Sequence, residues 1–234
     1  MSGHWKHVWI TGASSGLGEN CARKLAAEGS GGSINANITA YACDVTDRER
    51  THQIKAEMEA ANGPVDLVIL CAGAWFQSSL SKMKPENFQK TLDVNIMGIV
   101  NALDAVLPAM IERGSGHISW VSSVAGYGGL PNSASYGATK AALINMAEGS
   151  YNELARKGIA LSVINPGFVR TPMTDKNDFP MPFLMEPDDA ADKMIAGLKA
   201  KKFEIAFPWQ LVWILKFLNI LPYWLYLPII KRIA

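Results

Sequence analysis

The chain has 234 residues, of which 49% are apolar and only 18% are charged. This composition excludes a disordered chain, and the length suits one domain with a sizeable core. The 22 lysines and arginines nearly balance the 21 acidic residues, and no run of basic residues occurs, so we expect no nucleic-acid partner. The apolar surplus must be placed somewhere in the fold.

Short apolar runs alternate with longer helical patterns along the first two-thirds of the chain. This alternation predicts an α/β fold built on a doubly wound parallel sheet. The predicted strands are residues 7–11, 38–43, 67–71, 117–122 and 159–164. The predicted helices are residues 16–28, 48–61 and 136–157, each ending at or shortly before a glycine. Residues 85–113 are too many for one unbroken helix, and Pro108 should bend its last turns.

The stretch between Gly29 and Ile38 is too short for a regular sheet of this kind. It holds only eight residues, whereas a regular crossover needs a further strand and a helix there, so roughly twenty residues are missing. Either the protein has lost its second strand and the next helix, or the sequence is interrupted there. The loop-like composition of residues 30–37 favours an interruption, which an intact mass equal to that of the 234-residue chain would refute.

Three cysteines and four histidines predict neither a disulfide framework nor a metal site. The cysteines form no CxxC pair and are odd in number, which favours buried thiols in a reducing compartment. The histidines lack the spacing of metal ligands. Because only residues 1–5 come before the first strand, we expect no signal peptide and a cytoplasmic protein.

A glycine-rich turn follows the first predicted strand and opens a helix. It reads Thr11-Gly12-Ala13-Ser14-Ser15-Gly16-Leu17-Gly18. The first glycine allows a tight turn, the second allows the backbone to approach a ligand, and the third allows close helix packing. Free N–H groups at the helix start would then face a pyrophosphate. A plain strand-to-helix turn is the alternative, and the absence of a following Gly-Lys-Ser/Thr argues against a P-loop.

The turn resembles the Thr-Gly-x-x-x-Gly-x-Gly fingerprint of the classical short-chain dehydrogenase/reductase family. The resemblance implies a Rossmann-type single domain that binds NADP or NAD. The implied cofactor-binding residues are Gly12, Ser14, Ser15, Gly16, Leu17, Gly18, Asp44, Val45, Ala72, Gly73, Tyr136, Lys140, Pro166, Gly167, Val169 and Thr171. Among them, Asp44 and Val45 would contact the adenine ring, and the segment from Pro166 would hold the nicotinamide amide. Leu70 and Cys71 stand where the family has two asparagines.

Tyr136 and Lys140 are four residues apart and therefore share one face of a predicted helix. A nearby ammonium favours the phenolate and should lower the pKa of Tyr136 from about 10, making it an acid and base near neutrality. Such a pair by itself is more typical of a surface helix.

The resemblance implies a catalytic set of Asn95, Ser123, Tyr136 and Lys140. Ser123, with Ser122 as its neighbouring competitor, would polarise the carbonyl, and Asn95 would hold a water that links the lysine to solvent.

The implied reaction is hydride transfer between a nicotinamide and a carbonyl or carbinol carbon, with Tyr136 passing the proton. The side chain that selects NADP or NAD should lie about 20 residues past the glycine motif, within the short stretch near residue 30. We expect NADP, with NAD as the alternative. A second class of function is a non-catalytic redox sensor or membrane-anchored scaffold that binds a dinucleotide, although such a protein needs no proton donor.

Two apolar stretches lie outside these motifs. Residues 172–187 carry methionine and phenylalanine where the family has a mobile substrate lid, which predicts a small hydrophobic carbonyl or alcohol substrate. A catalytic domain is predicted over residues 4–208 and a hydrophobic helical tail over 209–234. Residues 209–230 would form two amphipathic helices hinged at Pro222 and lie peripherally on the cytoplasmic face of a membrane. Packing within a homodimer or homotetramer and a membrane span are the alternatives.

Overall fold

The computed structural model describes residues 5–29, 38–76 and 80–233. In these residues, five parallel strands form one sheet in the order β1 to β5. The strands are β1 (Val8–Thr11), β2 (Leu67–Leu70), β3 (Gly116–Val121), β4 (Ile159–Pro166) and β5 (Glu204–Phe207). The helices are α1 (Gly16–Gly29), α2 (Arg48–Asn62), α3 (Pro85–Leu92), α4 (Gly98–Arg113), α5 (Ala134–Arg156), α6 (Pro187–Lys199), α7 (Trp209–Asn219) and α8 (Tyr223–Ile233).

Helices cover both faces of the sheet, and β2 shows how the sequence achieves this. Val68 and Leu70 belong to a core that includes buried residues of α2, α4 and α5. Leu67 and Ile69 belong to a second core, shared with α1 and α6. Because successive strand side chains point to opposite faces, a continuous apolar run fills both cores at once. The predicted α/β fold with a doubly wound parallel sheet is confirmed.

Four predicted strands are present, but the strand predicted at residues 38–43 is wrong. That segment is irregular, and the side chain of Ile38 is 60% exposed. A strand needs a hydrogen-bonding neighbour, and within the described residues β1 pairs with β2 and not with this segment. The missing crossover predicted at residues 30–37 lies outside the described residues. β5, which pairs with β4, is not among the predicted strands.

The long helical stretch Pro85–Arg113 is interrupted by a π turn, and the bend expected at Pro108 stays a prediction. The α-helical hydrogen-bond pattern widens to a π turn at Asp93–Met97, whereas Pro108 lies inside α4. Among the described residues, this stretch is the single helix whose length and apolar composition would allow it to cross a membrane. Buried α4 residues such as Ala102 and Val106 pack in the core of the domain.

The hydrophobic C-terminal stretch forms two helices with the break before Pro222, so the predicted helix pair is confirmed. Each helix has 11 residues and is about 16 Å long, well short of the roughly 30 Å hydrocarbon core of a bilayer. Over the described residues, neither helix has the length of a membrane span, and the span stays an untested alternative. Helix α7 buries Leu211 and Val212 against Val124 of the loop after β3, so the tail is partly continuous with the domain.

Two helix glycines provide a matched test of the packing between α6 and β5. A Cβ at Gly197 would lie 2.6 Å from Cγ1 of the buried Ile205, whereas one at Gly149 would meet nothing within 4 Å. We expect Gly197→Ala to lower the free energy of unfolding by about 1–3 kcal/mol because of overpacking. Gly149→Ala should raise it by about 0.5–1 kcal/mol through helix propensity. Urea unfolding of both variants checks this, and equal effects would contradict the packing.

Candidate active site

The predicted site residues gather at the carboxyl ends of the parallel strands. Gly12 follows β1, Ala72 follows β2, Ser123 follows β3 and Gly167 follows β4. This edge is where open α/β sheets form their ligand crevices. All of the predicted cofactor-binding residues line one cleft of about 1790 Å³ there, together with Ser123. The structure thus brings together segments that are far apart in the sequence.

The glycine-rich turn has the backbone conformation that its glycines allow. Gly12 and Gly16 have φ angles of +66° and +58°, in the left-handed region that favours glycine. A Cβ at Gly18 would lie only 2.3 Å from the carbonyl oxygen of Gly12, so the first turn of α1 packs directly on the loop. Ser14 and Ser15 are exposed to the cleft. The helix start is therefore open to a ligand.

Two contacts hold this turn against the ends of other segments. The hydroxyl oxygen of Thr11 accepts hydrogen bonds from the backbone N–H groups of Cys71 and Ala72, at 3.2 and 3.3 Å. Thr171 lies against Gly16, because a Cβ added at Gly16 would be 3.0 Å from Cγ2 of Thr171. Sequence reasoning missed this role of Thr11, although the threonine was visible as the first residue of the motif.

Asp44 and Val45 are held beside the cleft by contacts with α4 and with their own loop. The backbone N–H and hydroxyl of Thr46 donate to the Asp44 carboxylate at 2.9 and 2.8 Å, and both hydrogen bonds lower the pKa of Asp44. Asn101 on α4 donates to the Val45 carbonyl at 3.0 Å. Val45 also packs against Gly98, where a Cβ would be 2.6 Å from Cγ2 of Val45.

Ser123, rather than Ser122, lies beside Tyr136. The side chains of Ser123 and Tyr136 are hydrogen-bonded, and the Ser123 hydroxyl also lies 3.3 Å from the Pro166 carbonyl. The Ser122 hydroxyl instead donates to the backbone carbonyl of Lys140 at 2.7 Å. Ser122 thus fastens the strand end to α5, and Ser123 is the serine available to a ligand.

Lys140 lies one helical turn from Tyr136, with its Nζ 5.3 Å from the centre of the Tyr136 ring. It donates to the Val121 carbonyl at 2.8 Å, and burial lowers the pKa of Lys140 to about 8. Burial also raises the pKa of Tyr136 to about 12, against a lowering influence of the hydrogen bond with Ser123. In the chain by itself the pKa of Tyr136 is therefore raised rather than lowered as expected, because burial penalises the phenolate more than the hydrogen bond with Ser123 stabilises it.

Asn95 lies in the π turn and binds protein groups with both ends of its amide. Its Oδ1 accepts from the Ala74 N–H at 2.7 Å, and its Nδ2 donates to the Ala74 carbonyl and to the Thr139 hydroxyl at 3.0 Å. Its side chain is fully buried. These bonds tie the loop after β2 to α5, next to the turn that carries Lys140. The implied role of holding a water stays a prediction.

Two further residues lie at the site, although neither was among the predicted site residues. Cys71 occupies one of the positions where the family has asparagine, and burial raises the pKa of its thiol to about 11 despite the nearby Lys140. It is thus a neutral thiol at neutral pH. Met173 reaches within 4.0 Å of the Cβ position of Gly73, at the start of the predicted lid. At the ends of the predicted lid, Val169 and Met185 form a parallel bridge. Within it, Phe179 packs edge-on to Phe168.

The depressed pKa of Lys140 makes stability depend on pH in a definite direction. A lysine whose folded pKa of about 8 lies below its unfolded value of 10.5 costs stability at low pH, and that cost vanishes as the pH rises. Relative to Lys140→Met, the free energy of unfolding of the wild-type chain should rise by about 2 kcal/mol between about pH 8 and pH 10. Urea titrations without cofactor measure it. A constant difference would show that the lysine is not buried in its charged form.

The fold and the site together define an α/β oxidoreductase domain. The sequence profile of the short chain dehydrogenases matches residues 30–180. An uncharacterized oxidoreductase from Myxococcus xanthus is 34% identical over an alignment of 236 positions, which covers 93% of each chain. The protein therefore belongs to the short-chain dehydrogenase family.

Two other relatives carry more specific descriptions. The 3-oxoacyl-[acyl-carrier-protein] reductase FabG of Thermotoga maritima is 32% identical over 185 residues, covering 71% of this chain and 75% of FabG. The structure of ElxO with NADP bound superimposes with a TM-score of 0.74 and 26% identity, covering 86% of this chain and 97% of ElxO.

Proposed function

We propose that this protein is an NADP-dependent oxidoreductase that interconverts a hydrophobic carbonyl compound and its alcohol, with Tyr136 as general acid and base. The observation that carries the proposal is the hydrogen bond between Ser123 and Tyr136, with Lys140 one turn away, in the cleft lined by the glycine-rich turn. A protein that only binds a dinucleotide has no need of two hydroxyls placed together beside a buried lysine.

The residues present fit a dinucleotide. The first-turn N–H groups of α1 lack acceptors within their own helix, and with exposed Ser14 and Ser15 they would hold the pyrophosphate. Asp44 and Val45 would face the adenine end, and the segment from Pro166 to Thr171 would face the nicotinamide. When bound, the nicotinamide supplies or accepts the hydride. The NADP bound by ElxO supports NADP over NAD.

The catalytic side chains are suited to carbonyl reduction. A phenol with a pKa of about 12 keeps its proton at neutral pH, so Tyr136 is ready to donate it to a carbonyl oxygen. Ser123 would donate to the same oxygen and stabilise the negative charge that develops on it. After proton donation, the Lys140 ammonium and the Ser123 hydroxyl would both stabilise the phenolate. Asn95 would act as a positioning residue through Ala74 and Thr139.

The substrate side of the cleft supports an apolar substrate. Met173 is an adaptable apolar side chain that lines the cleft, and Phe179 of the predicted lid packs on Phe168, which lies between the cleft residues Gly167 and Val169 in the sequence. The FabG relative is named for a 3-oxoacyl substrate, and a long-chain 3-oxo compound is one carbonyl of the proposed kind.

Oxidation of NADPH tests the proposed function. The purified chain would be mixed with NADPH and a series of ketones, aldehydes and 3-oxoacyl thioesters of increasing chain length. We expect oxidation, with kcat/KM rising up to about fourfold for each added methylene that becomes buried. NADPH binding without oxidation across the series would overturn the proposal and favour the redox sensor.

A further inference from the structure

Helix α7 exposes a stripe of aromatic residues. Trp209, Trp213 and Phe217 are 69%, 68% and 59% exposed. Their spacing of four residues places them in one stripe along the helix. Lys216 lies at the edge of this stripe, and its ammonium forms an ion pair with Glu204 on β5. The water-facing side of a surface helix is ordinarily polar, so this stripe needs an apolar cover.

The exposed apolar surface continues across the break into α8. We define the α7–α8 face as Trp209, Trp213, Ile214, Phe217, Ile220, Tyr223, Trp224, Leu225 and Leu227. These nine residues are half of the large apolar side chains that are exposed in the described part of the chain. Such a concentration on two short helices is far beyond the scattered exposure of an ordinary surface and indicates a contact with another apolar phase.

The chemistry of the α7–α8 face fits a lipid surface. Residues 209–234 contain no acidic residue. Because Glu204 already neutralises Lys216, the charge that faces outward is that of Lys231 and Arg232, both exposed in the last turn of α8. Basic residues are attracted to anionic headgroups, and tryptophan and tyrosine prefer the headgroup region of a bilayer. A second copy of the same face would bring like charges together.

We propose that the α7–α8 face binds the surface of a bilayer that contains anionic lipids, with both helices lying in the headgroup region. Over its described residues each helix is about 16 Å long, which suits a helix that lies in the interface. Buried Leu211 and Val212 pack α7 on the domain, so the stripe is held outward as a fixed surface. Such a surface adds no ordering cost on binding, unlike a disordered tail that must fold on the membrane.

The proposed lipid surface lies directly beside the catalytic loops. Leu211 of α7 contacts Gly167, because a Cβ added at Gly167 would be 2.9 Å from Cδ2 of Leu211. Leu211 also packs with Val124, the residue after Ser123. The Tyr226 hydroxyl of α8 donates to the Gly129 carbonyl at 2.9 Å. Resting on the proposed function, this placement implies that the carbonyl substrate is taken from the membrane, because the α7–α8 helices pack on the loops that carry Ser123 and Gly167.

Co-sedimentation with vesicles tests the lipid surface without any assay of activity. The full chain would be spun with vesicles of phosphatidylcholine, with and without phosphatidylserine. We expect binding to the mixed vesicles, with a shift of tryptophan emission to shorter wavelength as the exposed tryptophans enter the headgroup region. The double variant Lys231→Gln with Arg232→Gln should bind about thirtyfold more weakly.

Matched variants separate a specific surface from general stickiness. Arg156→Gln with Lys157→Gln removes the same two charges from the exposed end of α5 and should leave binding unchanged. Trp213→Ser with Phe217→Ser should weaken binding about a hundredfold. Ile111→Ser, at an exposed position of α4, should leave binding unchanged. Equal binding by all variants, or no binding by the wild type, would overturn the proposal. A wild-type chain that forms dimers lost in Trp213→Ser with Phe217→Ser, without vesicle binding, would also overturn it in favour of a subunit interface.

Activity in vesicles then separates the substrate source from the lipid surface. A long-chain ketone dissolved in vesicles and a short water-soluble ketone would be compared in the wild type and in Trp213→Ser with Phe217→Ser. We expect a loss of about tenfold or more for the membrane-dissolved ketone only. Equal turnover of the long ketone by both proteins would refute uptake from the membrane. Failure of both ketones with the wild type would count against the proposed reaction, and the co-sedimentation result would stand by itself.

Discussion

Replacing Tyr136 with phenylalanine is expected to lower kcat by about a thousandfold or more, because the only group lost is the hydroxyl proposed to carry the proton. The ring and its packing on α5 remain, so the affinity for NADPH should change by less than about threefold. Steady-state turnover of the best substrate from the chain-length series and a fluorescence titration with NADPH measure the two quantities separately.

The matched control is Tyr151→Phe on the same helix. Tyr151 is 45% exposed and packs edge-on to Phe203, with ring centres 4.9 Å apart, away from the cleft residues. This variant should keep the turnover and the cofactor affinity of the wild type. If Tyr136→Phe turned over at the wild-type rate, the assignment of the proton donor would be wrong, and Ser123 or a bound water would have to supply the proton.

Replacing Gly18 with alanine is expected to weaken NADPH binding by about a hundredfold or more. The new Cβ would lie 2.3 Å from the carbonyl oxygen of Gly12, and a backbone atom cannot move aside as a flexible side chain can. The turn must open, which costs about 1–3 kcal/mol and also moves the N–H groups that face the pyrophosphate. Isothermal titration with NADPH gives the change in affinity.

Gly149→Ala is the control for the glycine turn, because it adds the same methyl group to a helix where nothing lies within 4 Å. It should bind NADPH as the wild type does. Unchanged affinity in Gly18→Ala would mean that the turn does not hold the pyrophosphate. A simple loss of folding in Gly18→Ala would appear as a lower free energy of unfolding, and the fold can be checked by circular dichroism before titration.

Much of the fold follows from local sequence patterns. The apolar run at Leu67–Leu70 predicts a strand buried on both faces, and the glycine after a helical pattern predicts where a helix ends. The strand predicted at residues 38–43 fails because strand formation depends on a neighbour, which a local pattern does not reveal. β5 has only four residues and includes Glu204, so its pattern is too short and too polar to be noticed.

The site follows the same division between local and non-local information. Spacing alone places Tyr136 and Lys140 on one helix face, and the motif predicts the cleft residues. The pKa of Tyr136 depends on how much water surrounds it, which only the packed chain determines, and burial raises this pKa. The pairing of Lys216 depends in the same way on Glu204, which belongs to another element.

The π turn at Asp93–Met97 sets how far α3 is rotated about the helix axis relative to α4. A π turn amounts to one extra residue in an α-helix, and each residue of an α-helix advances by about 100°. Deleting one residue from this turn would restore regular hydrogen bonding, yet it would rotate α3 by about 100° relative to α4 and carry Asn95 away from Ala74. The orientation of a buried amide at the site thus depends on the length of a segment as much as on its composition, so a shortening that improves local helix geometry should detach the loop after β2.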